Sequence, residues 1–273
     1  MKKDTRNFVI VLAVLVAILV GGNIVVKESS GVDPPFTVVE SQSMQHGNGS
    51  EIGIIDTGDM VLVKSPSKTD IVSYVEGYHS GYRSFGEYGS VIVYERSVGN
   101  PVIHRAILWL ESNGDGTWSA ESLKYYTDDG SETGARMWSC GPYNDYLNMS
   151  GTLTLYDVGY AGKIVWINLD TLDNGRSGYL TMGDNAVTNR GFDQVIGVYG
   201  DLVAVENIRS VAWVEIPWLG SLKLMINGNT SALDTWASNS IGYLAIAFVT
   251  VIMVLMAIGY TSDCLHIKKA KKR

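Results

Sequence analysis

Cysteine is scarce in this sequence, which has only Cys140 and Cys264 in 273 residues. This scarcity excludes the dense disulfide framework on which small secreted domains depend. Neither cysteine has another cysteine or a histidine at the spacing of a metal-binding motif, which argues against a structural metal site. No cofactor is implied by the rest of the sequence.

Charged residues are absent from two stretches, residues 8–26 and 241–260, which contain 19 and 20 residues. At a rise of 1.5 Å per residue, a helix of this length spans about 28–30 Å, the thickness of the hydrocarbon core of a bilayer. We therefore predict transmembrane helices at residues 8–26 and 237–261. A cleavable signal peptide is the alternative for the first stretch, but no convincing small-residue cleavage site follows it.

Basic residues are concentrated at the two ends of the chain. The positive-inside rule then predicts that residues 1–7 and 262–273 are cytoplasmic and that residues 27–236 are extracytoplasmic. The two cysteines would lie on opposite sides of the membrane, where they cannot pair. The eight basic and two acidic residues of the ends contribute +6 to the formal net charge of −7, which leaves about −13 for the rest. So acidic a domain disfavours nucleic acid and anionic lipid as ligands.

Short runs of β-branched and aromatic residues, bounded by glycine-rich turns, predict a mainly β domain between the apolar stretches. The expected strands lie at residues 57–63, 71–75, 91–94 and 101–109. Residues 111–177 are polar and glycine-rich, which predicts a small β insertion with its own packing. Its acidic turns lack a full set of calcium ligands, so solvated turns are the better interpretation. Residues 211–226 fit either a final strand pair or a patch at the membrane surface.

A serine and a histidine in this domain are candidates for nucleophilic catalysis. Ser43 follows a β-branched run in the motif Ser41-Gln42-Ser43-Met44, and His104 stands between strand-forming residues. A serine hydroxyl reacts only with a base within about 2.6–3.2 Å, and a carboxylate must orient that base. The other histidines are less suited, because they lie in glycine-rich loops or in the basic tail: His46, His79 and His266.

Four motifs in this order resemble the conserved boxes of type I signal peptidases. They are Ser41-Gln42-Ser43-Met44, Gly58-Asp59-Met60-Val61, Val102-Ile103-His104-Arg105 and Gly183-Asp184-Asn185. The archaeal and endoplasmic-reticulum branch is the closer one, because His104 stands where bacterial members have lysine. The resemblance implies a signal-peptidase-like β catalytic domain with a small β insertion, flanked by two transmembrane helices. The insertion lies outside the matching segments.

The same resemblance assigns roles to individual residues. Ser43 would be the nucleophile and His104 the general base, while the backbone N–H of Ser43 and the hydroxyl of Ser41 would bind the oxyanion. An extended substrate would pair with residues of two strands, namely Thr37, Val38, Val39, Glu40, Val102 and Ile103. Met44 is expected to pack beneath the site.

The orienting acid is open at this stage. The family usually carries an acidic residue shortly after the Gly-Asp-Asn aspartate, but Thr188 and Asn189 stand there, and the next acid is Asp193. Either a re-spaced loop brings Asp193 to His104, or Asp184 itself orients the imidazole. The sequence slightly favours Asp184.

The expected function is that of a membrane-bound serine endopeptidase that removes signal peptides from exported preproteins at the outer face of the membrane. Its partners would be preprotein signal peptides, membrane lipid and the secretion translocon, and not nucleic acid. Two alternatives remain, which are a catalytically silent scaffold or binding module on the same fold, and a self-cleaving regulatory serine protease.

Overall fold

The computed structural model of the protein describes residues 21–96 and 98–270. These residues are mainly β, as predicted. The strands are β1 (Phe36–Val38), β2 (Met60–Lys64), β3 (Arg83–Ser84), β4 (Glu87–Tyr88), β5 (Val91–Tyr94), β6 (Val102–Ser112), β7 (Trp118–Ser119), β8 (Trp138–Cys140), β9 (Thr152–Val158), β10 (Lys163–Asn168), β11 (Gly178–Met182) and β12 (Ile208–Ile216). The helices are α1 (residues 21–30), α2 (Tyr74–Ser80), α3 (Asp193–Ile196), α4 (Ser221–Ile226), α5 (Ser231–Trp236) and α6 (Ser240–Ala270).

One antiparallel sheet carries the candidate catalytic motifs. Its strand order is β1-β2-β12-β5-β6-β11, with β7 paired to the end of β6. Strands β8, β9 and β10 form a second sheet within the insertion, and β3 and β4 form a hairpin. The predicted strands at residues 91–94 and 101–109 are confirmed as β5 and most of β6.

The insertion does not have separate packing, contrary to the prediction. Its large apolar side chains, such as Trp118, Trp138 and Leu155, belong to one buried cluster that also contains Ile107 and Leu180 of the main sheet. Burial of such side chains is worth about 1.5–3 kcal/mol each. The insertion is therefore fixed to the main sheet by a common core.

The strand predicted at residues 71–75 is wrong, because the capping chemistry of Ser73 and Glu76 starts a helix there. The Ser73 hydroxyl accepts from the Glu76 N–H, and the Glu76 carboxylate accepts from the Ser73 N–H. This reciprocal pair is a capping box, which satisfies two otherwise free donors at a helix start. The predicted strand pair at 211–226 is half correct, since β12 ends at Ile216 and α4 follows.

Membrane helices were predicted at both ends of the domain. Most of the first, residues 8–26, lies outside the described residues. The second, predicted at residues 237–261, overlaps α6, a continuous helix from Ser240 to Ala270. No helix long and apolar enough to cross a membrane occurs among the residues whose side chains the structure describes, which in α6 leave out residues 255 and 258–270.

Candidate active site

A groove of about 800 Å³ contains both candidate catalytic side chains, Ser43 and His104. Residues 36–41 form one wall and residues 100–104 form the other. Side chains from β2, β5 and β12 also line it, among them Val63, Val93 and Ser210. The curvature of the sheet therefore brings its first strand and the start of β6 to the same groove.

Both walls of this groove offer unpaired strand edges. Directly after β1, the N–H of Val39 donates to the Asp59 carbonyl and the carbonyl of Val39 accepts from the Gly58 N–H. Backbone groups alternate in direction along a strand, so those of Val38 and Glu40 point away from β2 into the groove. On β6, the pairing with β11 ends at Arg105, and the same alternation turns the backbone of Ile103 into the groove. An extended peptide can hydrogen-bond to both edges.

Half of the residues predicted to pair with substrate cannot do so through their backbone. Thr37 and Val39 face β2, and Val102 faces Tyr94 of β5. The side chain of Val39 is also buried, with 1% exposed. The reason is that backbone groups alternate in direction along a strand, so consecutive residues cannot all hydrogen-bond to the same neighbouring chain.

Ser41 and Ser43 lie side by side at one end of the groove. Their hydroxyl oxygens are 3.2 Å apart and share a hydrogen bond. Among the described residues, the N–H of Ser43 has no hydrogen-bond acceptor. A free backbone N–H and a neighbouring hydroxyl are the donors that an oxyanion requires. Met44 is buried in an apolar cluster that also contains Val39 and Val61.

His104 is held by Asp193 and not by Asp184, which corrects the preference derived from sequence. The Nδ1 atom of His104 lies 2.8 Å from Oδ2 and 2.9 Å from Oδ1 of Asp193. Because a carboxylate only accepts, the neutral imidazole carries its hydrogen on Nδ1 and leaves Nε2 free to take a proton. The two side chains are 4% and 0% exposed, so water competes little for this contact.

The carboxylate of Asp193 remains ionised although it is buried at the start of α3. Burial alone would raise the pKa of Asp193, but the charge and hydrogen bond of His104 and the hydroxyl groups of Thr181 and Tyr94 lower it below its usual value. Tyr94 donates its hydroxyl hydrogen to Oδ2 over 2.7 Å. Tyr94 is thus a supporting residue that the sequence motifs did not reveal.

Ser43 and His104 line the same groove, but no hydrogen bond joins them in the described part of the chain. In ligand-free enzymes the contact between nucleophile and base is often long and shortens when substrate binds. The arrangement therefore supplies a hydroxyl, a base with an oriented tautomer and two oxyanion donors around one groove.

Asp184 forms a buried ion pair with Arg105. The Nε and Nη2 atoms of Arg105 donate to the two carboxylate oxygens over 2.8 and 2.5 Å. Burial opposes the charge on Asp184, but the adjacent guanidinium outweighs it and lowers the pKa of Asp184. The Nη1 atom of Arg105 donates to the carbonyls of Ser84 and Gly89, so the pair also fastens the β3–β4 hairpin.

The loop that follows β11 holds the Ser43 segment. Asn185 donates from its N–H to the Ser43 carbonyl and from Nδ2 to the Gln42 carbonyl, each over 2.9 Å. A Cβ atom on Gly183 would lie 2.5 Å from the Ser43 carbonyl oxygen, which requires glycine at this close approach. The Gly-Asp-Asn motif therefore positions the serine, a role that turn propensity alone could not reveal.

Asp59, in the Gly-Asp-Met-Val motif, is a buried structural residue. Its carboxylate accepts from the N–H groups of Asp56 and Trp218, both over 2.8 Å. Desolvation by burial raises the pKa of Asp59 to about 8 and that of Asp56 to about 7. This motif ties the chain beside β1 to the segment before α4 and contributes no group to the groove.

In the part of the chain that the structure describes, no cluster of histidine, cysteine, aspartate and glutamate side chains could hold a metal ion. Comparisons with protein-family models, with curated proteins and with solved structures found no match. The chemistry of the groove is consequently the basis for a functional proposal.

Proposed function

We propose that this protein is a membrane-bound serine endopeptidase of the signal-peptidase type. The observation that carries the proposal is the buried contact of His104 with Asp193 in the same groove as Ser41 and Ser43. Ser43 attacks the scissile carbonyl, and His104 accepts its proton and later donates it to the leaving amine. Asp193 orients the imidazole and stabilises its charged form.

The substrate class follows from the two free strand edges. An extended segment that enters the groove completes hydrogen bonds with Val38, Glu40 and Ile103, and these bonds do not depend on the substrate sequence. Recognition of side chains is left to the apolar residues that line the groove, such as Val63 and Val93. Together with the four ordered motifs, this arrangement supports cleavage of extended signal-peptide segments of exported preproteins.

Membrane attachment is part of the same proposal. Apolar side chains of α6 such as Ile246, Phe248 and Met256 are at least half exposed. We propose that α6 and residues 8–26 anchor the domain, with both ends cytoplasmic and the groove on the outer face beside the translocon. Protease digestion of sealed vesicles should remove the domain only from the extracytoplasmic side; digestion from the other side would overturn this orientation.

The test of activity is a preprotein cleavage assay with purified protein in detergent. Wild type should release the mature protein, and Ser43→Ala and His104→Ala should each lose at least about a thousandfold in kcat. His79→Ala is the matched control, because His79 is an exposed histidine stacked on Tyr125 at 4.4 Å.

Three results would reject the proposal. Equal processing by wild type and Ser43→Ala would exclude Ser43 as nucleophile. A correctly folded wild type that processes no preprotein would favour a binding module, and a cut confined to its own chain would favour a self-cleaving protease.

A further inference from the structure

The insertion reaches the active-site loops with the tip of its β9–β10 hairpin. Tyr160 in this tip stacks on the imidazole of His46, with ring centroids 4.1 Å apart, and its hydroxyl donates to the His46 carbonyl. His46 follows the Ser43 segment by only a few residues, and its Nε2 lies 3.7 Å from the Asp184 carboxylate. The hairpin tip therefore packs against the chain that follows Ser43, at the point where His46 lies close to Asp184.

Lys163, the first residue of β10, makes the more specific contact. Its ammonium donates to the carbonyls of Gly183, Asp184 and Asn189 over 3.1, 3.2 and 3.0 Å. An ammonium has three donors, and all three are used here. The three carbonyls come from one short loop, so a single side chain of the insertion fixes both ends of that loop.

This loop is the one that holds Ser43. Asn185, between the carbonyls that Lys163 binds, donates to the carbonyls of Gln42 and Ser43. The N–H of Asn189 donates to the carbonyl of Asn185 and closes the loop on itself. The chain of contacts thus runs from Lys163 through the loop to the backbone of the nucleophile.

We propose that Lys163 is a positioning residue for peptide cleavage, through which the insertion holds the 183–189 loop against the catalytic serine segment. This inference rests on the proposed peptidase function. Without the ammonium, three partly buried carbonyls lose their donor, and the loop relaxes to regain partners. A displacement of about 1 Å at a reacting group costs about a hundredfold in rate.

The charge on Lys163 provides a pH readout. Burial lowers the pKa of Lys163 to about 8, although the carboxylates of Asp184 and Asp193 act in the opposite direction and Arg105 adds to the lowering. Above that pH the amine loses one of its three donors. The kcat of wild type should therefore fall as the pH rises from 7 to 9, and a variant without the amine should lack this fall.

The experiment compares Lys163→Met and Lys163→Arg with Leu155→Ala, a change in the core of the insertion. Lys163→Met should lower kcat for preprotein cleavage by about 10- to 100-fold with KM within about twofold, and should remove the alkaline fall. Lys163→Arg, which keeps the cation, should recover most of kcat. Leu155→Ala should lower the melting temperature and leave kcat within about threefold. Unchanged kcat in Lys163→Met would overturn the inference, as would equal kcat losses in Lys163→Met and Leu155→Ala.

Amide hydrogen exchange separates this inference from the proposed function. In full-length protein, Lys163→Met should raise the exchange rate of the Asn185 N–H at least tenfold, and Leu155→Ala should not do so selectively. This result would support the positioning role even for a wild type that cleaves no preprotein. Unchanged exchange at Asn185 would reject it even if Ser43→Ala abolished cleavage.

Discussion

Asparagine at position 193 should abolish most of the activity and preserve the fold. Tyr94 donates to Oδ2 of Asp193 over 2.7 Å, so the single oxygen of asparagine is drawn towards Tyr94. The amide NH₂ then faces Nδ1 of His104, which must become an acceptor and carry its hydrogen on Nε2. In that tautomer Nε2 cannot take the serine proton. The same change in the triad of a Ser-His-Asp protease lowers kcat about 10⁴-fold, which corresponds to about 5.5 kcal/mol of transition-state stabilisation.

Asp184→Asn should have the opposite effect: it should lower the stability of the fold and keep most of the activity. Asp184 is paired with Arg105, whose side chain is 0% exposed, so the substitution leaves a buried guanidinium without its counter-charge. Breaking a buried ion pair in this way costs about 3–5 kcal/mol. For a domain of this size, that loss lowers the melting temperature by about 6–20 °C. The folded fraction should keep most of its kcat because His104 retains Asp193.

The assay measures both quantities for the same three variants, Asp193→Asn, Asp184→Asn and the exposed control Asp173→Asn. Melting temperatures come from thermal unfolding, and kcat is measured with preprotein at a temperature where every variant is folded. Retention of more than a tenth of wild-type kcat in Asp193→Asn would refute the tautomer argument. So would a loss in folded Asp184→Asn as large as that in Asp193→Asn.

Three further changes test the loop that holds Ser43, the pairing with substrate and the buried acid Asp56. Gly183→Ala places a Cβ 2.5 Å from the Ser43 carbonyl oxygen, so kcat should fall at least about tenfold. Gly200→Ala is the control, because a Cβ there would meet no atom within 4 Å, and it should change neither kcat nor melting temperature. Ile103→Pro removes the N–H directed at substrate and should lower kcat/KM about tenfold more than Ile103→Ala does; equal values would exclude strand pairing there. Burial raises the pKa of Asp56 from 3.8 to about 7, so its contribution to stability is fully present below pH 3.8 and is lost as the pH rises through 7. Asp56→Asn should therefore flatten the fall in melting temperature between about pH 4 and 7 and make the protein more stable than wild type at pH 8; an unchanged slope would contradict the assignment.

Local sequence patterns predicted correctly those elements whose conformation depends mainly on their own residues. The run from Val91 to Tyr94 is apolar and β-branched on both faces, and it forms a central strand buried on both sides. Residues 71–75 have similar composition, yet the capping box of Ser73 and Glu76 overrides it. The common core of the insertion could not be predicted, because it depends on contacts between residues distant in sequence.

The roles of Lys163, Tyr160 and Arg105 were equally inaccessible to motif reading. A lysine at the start of a predicted strand has no distinguishing pattern, and its partners are backbone carbonyls, which every residue possesses. Arg105 was visible as a charge in an apolar run, which indicates a buried partner but does not identify it. Such partners can be identified only from the tertiary structure, because they are distant in sequence.

The choice between the two acids illustrates how strand geometry decides what spacing cannot. His104 and Arg105 are neighbours on β6, so their side chains point to opposite faces of the sheet. The last paired residue of β11, Met182, lies opposite Arg105, and Asp184 follows it closely enough to reach only the guanidinium. An acid for His104 must come from chain that has crossed to the other face, which requires the loop before α3. The chain between Met182 and Asp193 is therefore long enough to cross to the face of His104. Asp184, which follows Met182 by only two residues, stays on the face of Arg105.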